Sequence, residues 1–146
     1  MKVGERLLGL DIGGRRIGVA ISDEMGMIAS PIAMIERQSD VAGKLRELIR
    51  DYGAAKLVAG LPVGLSGREG PQAAEVREYT DALAAEVGLP LEYWDERLST
   101  SIAEQSLIAQ GTRRNKRKQQ VDAVAASVIL QSYLDNQRWK ASSGRR

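Results

Sequence analysis

Three acidic positions stand where a purely structural carboxylate is out of place. Asp11 lies inside the apolar run LLGLDI, where only Leu7 and Gly9 share its side of a strand. An ionised carboxylate in that setting needs a cation or several donors to offset its desolvation. Asp95 and Glu96 follow Leu91-Glu92-Tyr93-Trp94 at the carboxyl end of a short strand, the edge at which open α/β sheets bind ligands. Asp122 stands in VDAVAASVIL, with Ala125, Ala126 and Ile129 at i+3, i+4 and i+7. It therefore lies on or beside an alanine-rich helix face suited to close packing on a sheet. Each position has an ordinary alternative: Asp11 capping the Gly13-Gly14 turn, Asp95-Glu96 as a solvated loop, Asp122 paired with Lys118 one turn earlier. Together they point to shared chemistry. Carboxylates from a central strand, a strand end and a packed helix can converge on one sheet face, where their mutual repulsion is relieved by divalent cations. A carboxylate cluster holding two ions roughly 4 Å apart is an apparatus for phosphodiester hydrolysis.

Composition narrows the chemistry in the same direction. The chain has no histidine and no cysteine. Ser-His-Asp triads, imidazole bases, thiolate metal sites and disulfides are all excluded, and a reducing, cytoplasmic setting fits. Any metal must be held by carboxylates, which favours Mg²⁺ or Mn²⁺. Gly13-Gly14-Arg15-Arg16-Ile17-Gly18 is not G-x-G-x-x-G, and GLPVGLSGREG (60–70) lacks the Gly-Lys-Ser/Thr ending of a P-loop.

The net charge of +2 hides an asymmetry. Residues 1–112 carry 12 basic and 17 acidic side chains, a net −5, whereas residues 113–146 carry 9 and 2, a net +7. A basic end on an acidic body suggests a polyanionic partner, nucleic acid first, with a solvated tail as the plain alternative. Arg113, Arg114, Lys116, Arg117 and Lys118 form its densest part. Cations at a helix start oppose the helix dipole, and this local cost favours a role in gripping backbone phosphates beside Asp122. No signal peptide and no apolar run of membrane-spanning length is read, so no membrane partner is expected.

The elements that must position these residues follow from periodicity and punctuation. Leu7–Ile12 and Ile17–Ser22 read as hairpin strands, the second with a bulky face of Ile17, Val19 and Ile21 and a small face of Gly18, Ala20 and Ser22. A third strand is expected near Met27–Ile35, with Pro31 at an edge or bulge. Asp40 caps a helix to Tyr52 that Gly53 stops, with Val41, Leu45, Leu48 and Ile49 on its apolar stripe. KLVAGL (56–61) is a buried parallel strand. A helix over Gln72–Val87 and a strand over Leu91–Trp94 follow. Ser101 and Glu104 form a capping box for a helix ending near Gly111, and Thr112 or Asn115 caps a last helix to about Leu134. Three strands followed by alternating helices and strands predict one α/β domain with a mixed five-stranded sheet, an antiparallel meander and then parallel strands, flanked by helices. Residues 1–138 are assigned to that domain and 139–146 to a flexible basic tail.

Openings such as LDIGG occur in actin-like ATPases and in ribonuclease H-like nucleases; the former need two such domains, for which 146 residues are too few. Within the latter group the chain closely resembles the YqgF (RuvX) family, Holliday-junction-resolvase-like and pre-16S rRNA nucleases. The segments that carry the resemblance are LGLDIGGRRIGVAISD, LVAGLPVGLSGREGP, DERLST and RRNKRKQQVDAVAASVILQSYLD, spanning residues 8–135. The resemblance implies a ribonuclease H-like fold and places the family's acidic site residues on Asp11, Glu96 and Asp122, choosing Glu96 over Asp95. Gly64 stands where the family loop usually has asparagine. The expectation is a metal-dependent endonuclease in which water attacks phosphorus in line, by analogy leaving a 5′-phosphate and a 3′-hydroxyl. Precursor 16S rRNA and branched DNA both suit these residues, and junction resolution would favour a homodimer. The rivals are a non-catalytic nucleic-acid-binding module and, disfavoured by length, an ATPase.

Overall fold

A computed structural model describes residues 5–63, 68–95 and 114–143, with the side chains of the last segment described over 124–141. Strands β1 (Arg6–Ile12), β2 (Arg16–Ser22) and β3 (Ala29–Glu36) form the meander; helix α1 (Val41–Tyr52), β4 (Ala54–Leu61), α2 (Pro71–Val87), β5 (Leu91–Asp95) and α3 (Arg114–Ser143) follow. The sheet order is β3-β2-β1-β4-β5. The pairs β1–β2 and β2–β3 are antiparallel, whereas β1–β4 and β4–β5 are parallel. The mixed α/β architecture expected from the element order is the one found.

Local chemistry explains most boundaries. The Asp40 carboxylate accepts from the Gly43 N–H at 3.0 Å, and Gly53 closes α1 in the left-handed region. Pro71 opens α2 at its first turn, where a missing N–H costs nothing. Pro31 lies on the edge strand β3, beside a bulge in which Ile32 is the extra residue between the Ala20–Pro31 and Val19–Ala33 pairs. Several boundaries differ from expectation. β3 starts at Ala29 rather than Met27 because the Asp23 carboxylate takes the N–H groups of Met27 (2.7 Å) and Ile28 (3.2 Å), turning the chain there. β4 begins at Ala54, which pairs with Arg6. α3 runs to Ser143, past Leu134, since no glycine or proline interrupts the sequence before Gly144. α3 also starts at Arg114, so Asn115 lies inside the helix rather than capping it. Thr112 and the expected 101–111 helix lie outside the described residues.

The sheet separates two layers. Leu8, Leu10, Ile12, Val19, Leu57 and Leu61 pack with α1 and α2 on one face. On the other, Leu7, Ala20 and Val58 pack with Ala126, Leu130, Tyr133 and Leu134 of α3. The small face of β2 lets α3 come close, and Ala125, Ala126 and Ile129 are fully buried as the alanine-rich stripe predicts.

Candidate active site

β1, β4 and β5 run parallel, so Ile12, Leu61 and Asp95 end at one edge of the sheet, with Leu61 opposite Asp95. Asp11 stands one residue inside that edge, half-buried and paired with Gly18 of β2. Side chains alternate along a strand. Asp11 therefore shares the α3 face with Leu7 and Gly9, away from the aliphatic core under α1 and α2.

Gly9 sets the approach of α3. A Cβ there would lie 2.8 Å from the Leu130 Cβ and 3.0 Å from the Ala126 carbonyl oxygen, so only glycine fits without displacement. Leu7, earlier in β1, packs in the cluster that includes Tyr133 and Leu134. Helix and strand are thus antiparallel, and falling residue number along α3 leads toward the edge where Asp11 stands. Position 122 lies on the turn before Ala126, in that direction. The side chain of Asp122 and all of Glu96 lie outside what is described. Asp95 follows Tyr93, which belongs to the opposite core layer, so by strand alternation it is on the far face from Asp11. Of the basic run, Arg114, Lys116, Arg117 and Lys118 occupy the opening turns of α3, with their side chains undescribed; Arg113 and Gly64 lie outside the described residues.

The turn beyond Asp11 is held by a residue the sequence did not single out. Arg37 donates to the Gly13 carbonyl at 2.9 Å and to Glu75 at 2.9 Å, and its guanidinium sits 4.0 Å from the centre of the Tyr79 ring. Its backbone N–H donates to the Arg15 carbonyl at 2.8 Å. Within the turn, the Gly13 N–H reaches the Arg16 carbonyl at 2.9 Å, an approach that leaves no room for a Cβ on Gly13. Arg37 lies 24 residues from Gly13, and no local pattern announces the contact.

A second polar cluster ties α3 to β4 and β5. Lys56 donates to Glu92 at 2.7 Å and to the Tyr133 hydroxyl at 3.0 Å, and that hydroxyl donates to Glu92 at 3.0 Å. Burial works against the charged forms, but the mutual hydrogen bonds outweigh it: Lys56 titrates above its ordinary range and Glu92 below. Burial also pushes the Tyr133 hydroxyl up. Beside it, the Trp94 indole N–H donates to Ser132 at 3.0 Å, and the Trp94 and Tyr133 rings meet edge to face at 5.8 Å. Lys56 and Tyr133 also line a cleft of about 650 Å³ with Met25, Arg138 and Lys140, at the amino end of β1 and away from Asp11.

Among the described residues no three metal-ligating side chains gather. Asp11 is the one member of the expected trio whose side chain is described. Its setting fits a hard cation: an oxygen donor on a half-buried strand end, with glycine paired opposite and no histidine or cysteine in the chain. No helix among the described residues is long and apolar enough to cross a membrane.

Residues 5–136 match the model of the RuvX family, described as Holliday junction resolvase. The chain belongs to this family. A Moorella thermoacetica protein named "Putative pre-16S rRNA nuclease" is 46% identical over 132 residues, covering 89% of this chain and 94% of its own. A Chloroflexus aggregans protein of the same name is 45% identical over 136 residues, covering 92% and 96%. RuvX-family membership agrees with the solved structures this fold resembles. T. thermophilus RuvC in complex with a Holliday junction substrate superposes with a TM-score of 0.57 at 12% identity, over 92% of this chain and 96% of that one. The fowlpox virus Holliday junction resolvase gives 0.52 at 12% identity, over 90% and 99%. At that identity the likeness establishes the fold alone, a ribonuclease H-like mixed five-stranded sheet flanked by helices.

Proposed function

We propose that this RuvX-family chain is a divalent-metal-dependent endonuclease that trims the 5′ end of precursor 16S rRNA, with Asp11, Glu96 and Asp122 as its metal-holding carboxylates. The observation that carries the reading is the position of Asp11: on the central strand, at the carboxyl edge, on the α3 face, in a family whose curated relatives are named for rRNA cleavage. Mg²⁺ or Mn²⁺ bound there would supply a water of lowered pKa and neutralise charge at the scissile phosphate.

The chain's own residues do the rest. The carboxylates fix where a phosphate can approach. Arg37 pins the turn beyond Asp11 at the Gly13 and Arg15 carbonyls, and nothing lies within 4 Å of where a Gly14 side chain would project. The opening turns of α3 carry Arg114, Lys116, Arg117 and Lys118, with Arg113 just before them, and these cations would hold backbone phosphates without reading sequence.

The family description supports a second reading, a four-way DNA junction as substrate, and one experiment separates the two. End-labelled precursor 16S rRNA and a four-way DNA junction are incubated with the protein in Mg²⁺, Mn²⁺ or EDTA. Cleavage of the RNA, lost in EDTA and reduced roughly 100-fold or more in Asp11→Asn and Asp122→Asn, is expected, the scale seen when a group stabilising developing charge is removed. Preferential cutting of the junction would replace the RNA with DNA in the proposal. Salt-sensitive binding without cleavage, indifferent to Mg²⁺ and to both substitutions, would make the chain a binding module instead.

A further inference from the structure

The hairpin turn just past Asp11 has its carbonyls fixed and its tip left open. Arg37 takes the Gly13 carbonyl with its guanidinium at 2.9 Å and the Arg15 carbonyl with its backbone N–H at 2.8 Å. The Arg37 side chain is only 18% exposed, and its guanidinium is also engaged by Glu75 at 2.9 Å and by the Tyr79 ring at 4.0 Å. In a trans peptide the carbonyl and the N–H point in opposite directions, and no cis peptide occurs among the described residues. With the Gly13 oxygen turned to Arg37, the next N–H, that of Gly14, is directed away from it. Gly14 and Arg15 form the exposed tip of the turn. Nothing stands within 4 Å of a Cβ built on Gly14, and among the described residues neither the Gly14 N–H nor the Arg15 guanidinium has a hydrogen-bond or ion-pair partner. Arg15 is four residues beyond Asp11, at most about 13 Å of extended strand, and the turn shortens that distance. A main-chain donor and a full positive charge are thus presented at the carboxyl edge of the sheet, which is the chemistry that holds a phosphate.

We propose that the Gly14–Arg15 tip binds a backbone phosphate of the nucleic-acid substrate, one neighbouring the phosphate at Asp11, and that Arg37 is the positioning residue that holds the tip for it. This rests on the nuclease reading above but draws on neither a metal ion nor the other carboxylates. The Arg15 guanidinium offers a two-pronged, charge-assisted contact, and the Gly14 N–H a main-chain donor. Contacts of this kind fix the path and orientation of the strand without reading bases. Arg37 does not itself meet the phosphate. It acts through the Gly13 and Arg15 carbonyls, whose bonds determine where the Arg15 side chain starts.

The test is fluorescence anisotropy of the full-length chain with a fluorescein-labelled RNA spanning the 5′ precursor–16S boundary. EDTA prevents cleavage, and NaCl is varied from about 50 to 200 mM. Arg15→Gln should weaken binding about 10-fold and lower the slope of log K against log salt by about 0.7–0.9, the share of one phosphate contact. Arg37→Lys keeps the charge but not the fork that spans Gly13 and Glu75. It should lower the slope by a similar amount, and the double variant should lose no more than Arg15→Gln alone. A residue that only stabilises the fold leaves the slope unchanged in folded protein, and urea midpoints measured alongside show that each variant is folded at the assay temperature. Arg15→Gln with the wild-type slope and affinity would overturn the phosphate site. Arg37→Lys with the wild-type slope, or a double variant whose losses add, would overturn the positioning role. In both cases the nuclease reading stands if the wild type cleaves this RNA in Mg²⁺ and Asp11→Asn does not. A wild type that keeps the Arg15-dependent slope yet never cleaves would instead overturn the nuclease reading and leave the phosphate site standing.

Discussion

Replacing Gly9 with alanine adds one methyl group at the tightest point between sheet and helix. That carbon would lie 2.8 Å from the Leu130 Cβ, 3.0 Å from the Ala126 carbonyl oxygen and 3.4 Å from the Leu130 Cδ2. Carbon atoms in comfortable contact stand about 3.5–4.0 Å apart, so helix and strand must separate by roughly 1 Å. Neither obstacle can swing away: one is a main-chain oxygen, the other a Cβ fixed to the helix. Overpacking of this kind costs about 1–3 kcal/mol, and the stiffer unfolded chain returns about 0.4–1 kcal/mol. A net destabilisation of about 1–2 kcal/mol follows, equivalent to a fall of roughly 2–8 °C in Tm for a chain of this size. Urea unfolding followed by circular dichroism measures it. Gly14→Ala is the control: nothing lies within 4 Å of its Cβ and its φ is not positive, so its stability should stay within about 0.5 kcal/mol of wild type. Gly9→Ala should also lose cleavage activity at temperatures where it is fully folded, because the retreating helix carries Asp122 with it. A Gly9→Ala protein with wild-type urea midpoint and activity would refute the close-contact reasoning, as would a Gly14→Ala protein equally destabilised.

Two further outcomes follow from local chemistry. Asp40→Ala removes the acceptor for the Gly43 N–H and should cost about 1 kcal/mol in urea unfolding, with Asp40→Asn close to wild type. The Lys56–Glu92 pair stabilises the fold over a defined pH window. Glu92 is lowered from 4.5, so its contribution is complete above that value and is lost as pH falls through the folded one. Lys56 is raised from 10.5, so its contribution is complete below that value and is lost as pH rises through the folded one. With side chains 30% and 44% exposed, screening limits the pair to about 1 kcal/mol or less. The stability difference between wild type and Lys56→Met should therefore be flat between pH 5 and 10 and shrink outside those limits. A difference that grows below pH 4 would refute it.

What was readable without coordinates is what short-range physics controls. Alternation in IGVAIS marked one face of β2 as small, and that face receives α3. Asp40 and Gly53 bracket α1 through contacts within their own turns, and Pro31, which has no N–H to donate, marked an edge or a bulge, and both are found there. The isolation of Asp11 in an apolar strand was likewise visible from its neighbours alone. The end of α3 was misplaced because the apolar stripe stops at Leu134, whereas backbone propensity stays helical up to Gly144 and Arg138 ties the extension to the Met27 carbonyl at 3.1 Å. Tertiary structure alone decided the rest. Spacing alone left Asp95 and Glu96 equivalent and the family resemblance favoured Glu96; the register of β5 adds that Tyr93, and with it Asp95, lies on the far face from Asp11. Arg37 reaching Gly13, Lys56 reaching Tyr133 and Trp94 reaching Ser132 join residues 24, 77 and 38 positions apart. Contacts at that separation depend on strand order and helix register, which arise from burial summed over the whole chain and leave no periodic trace in any one segment.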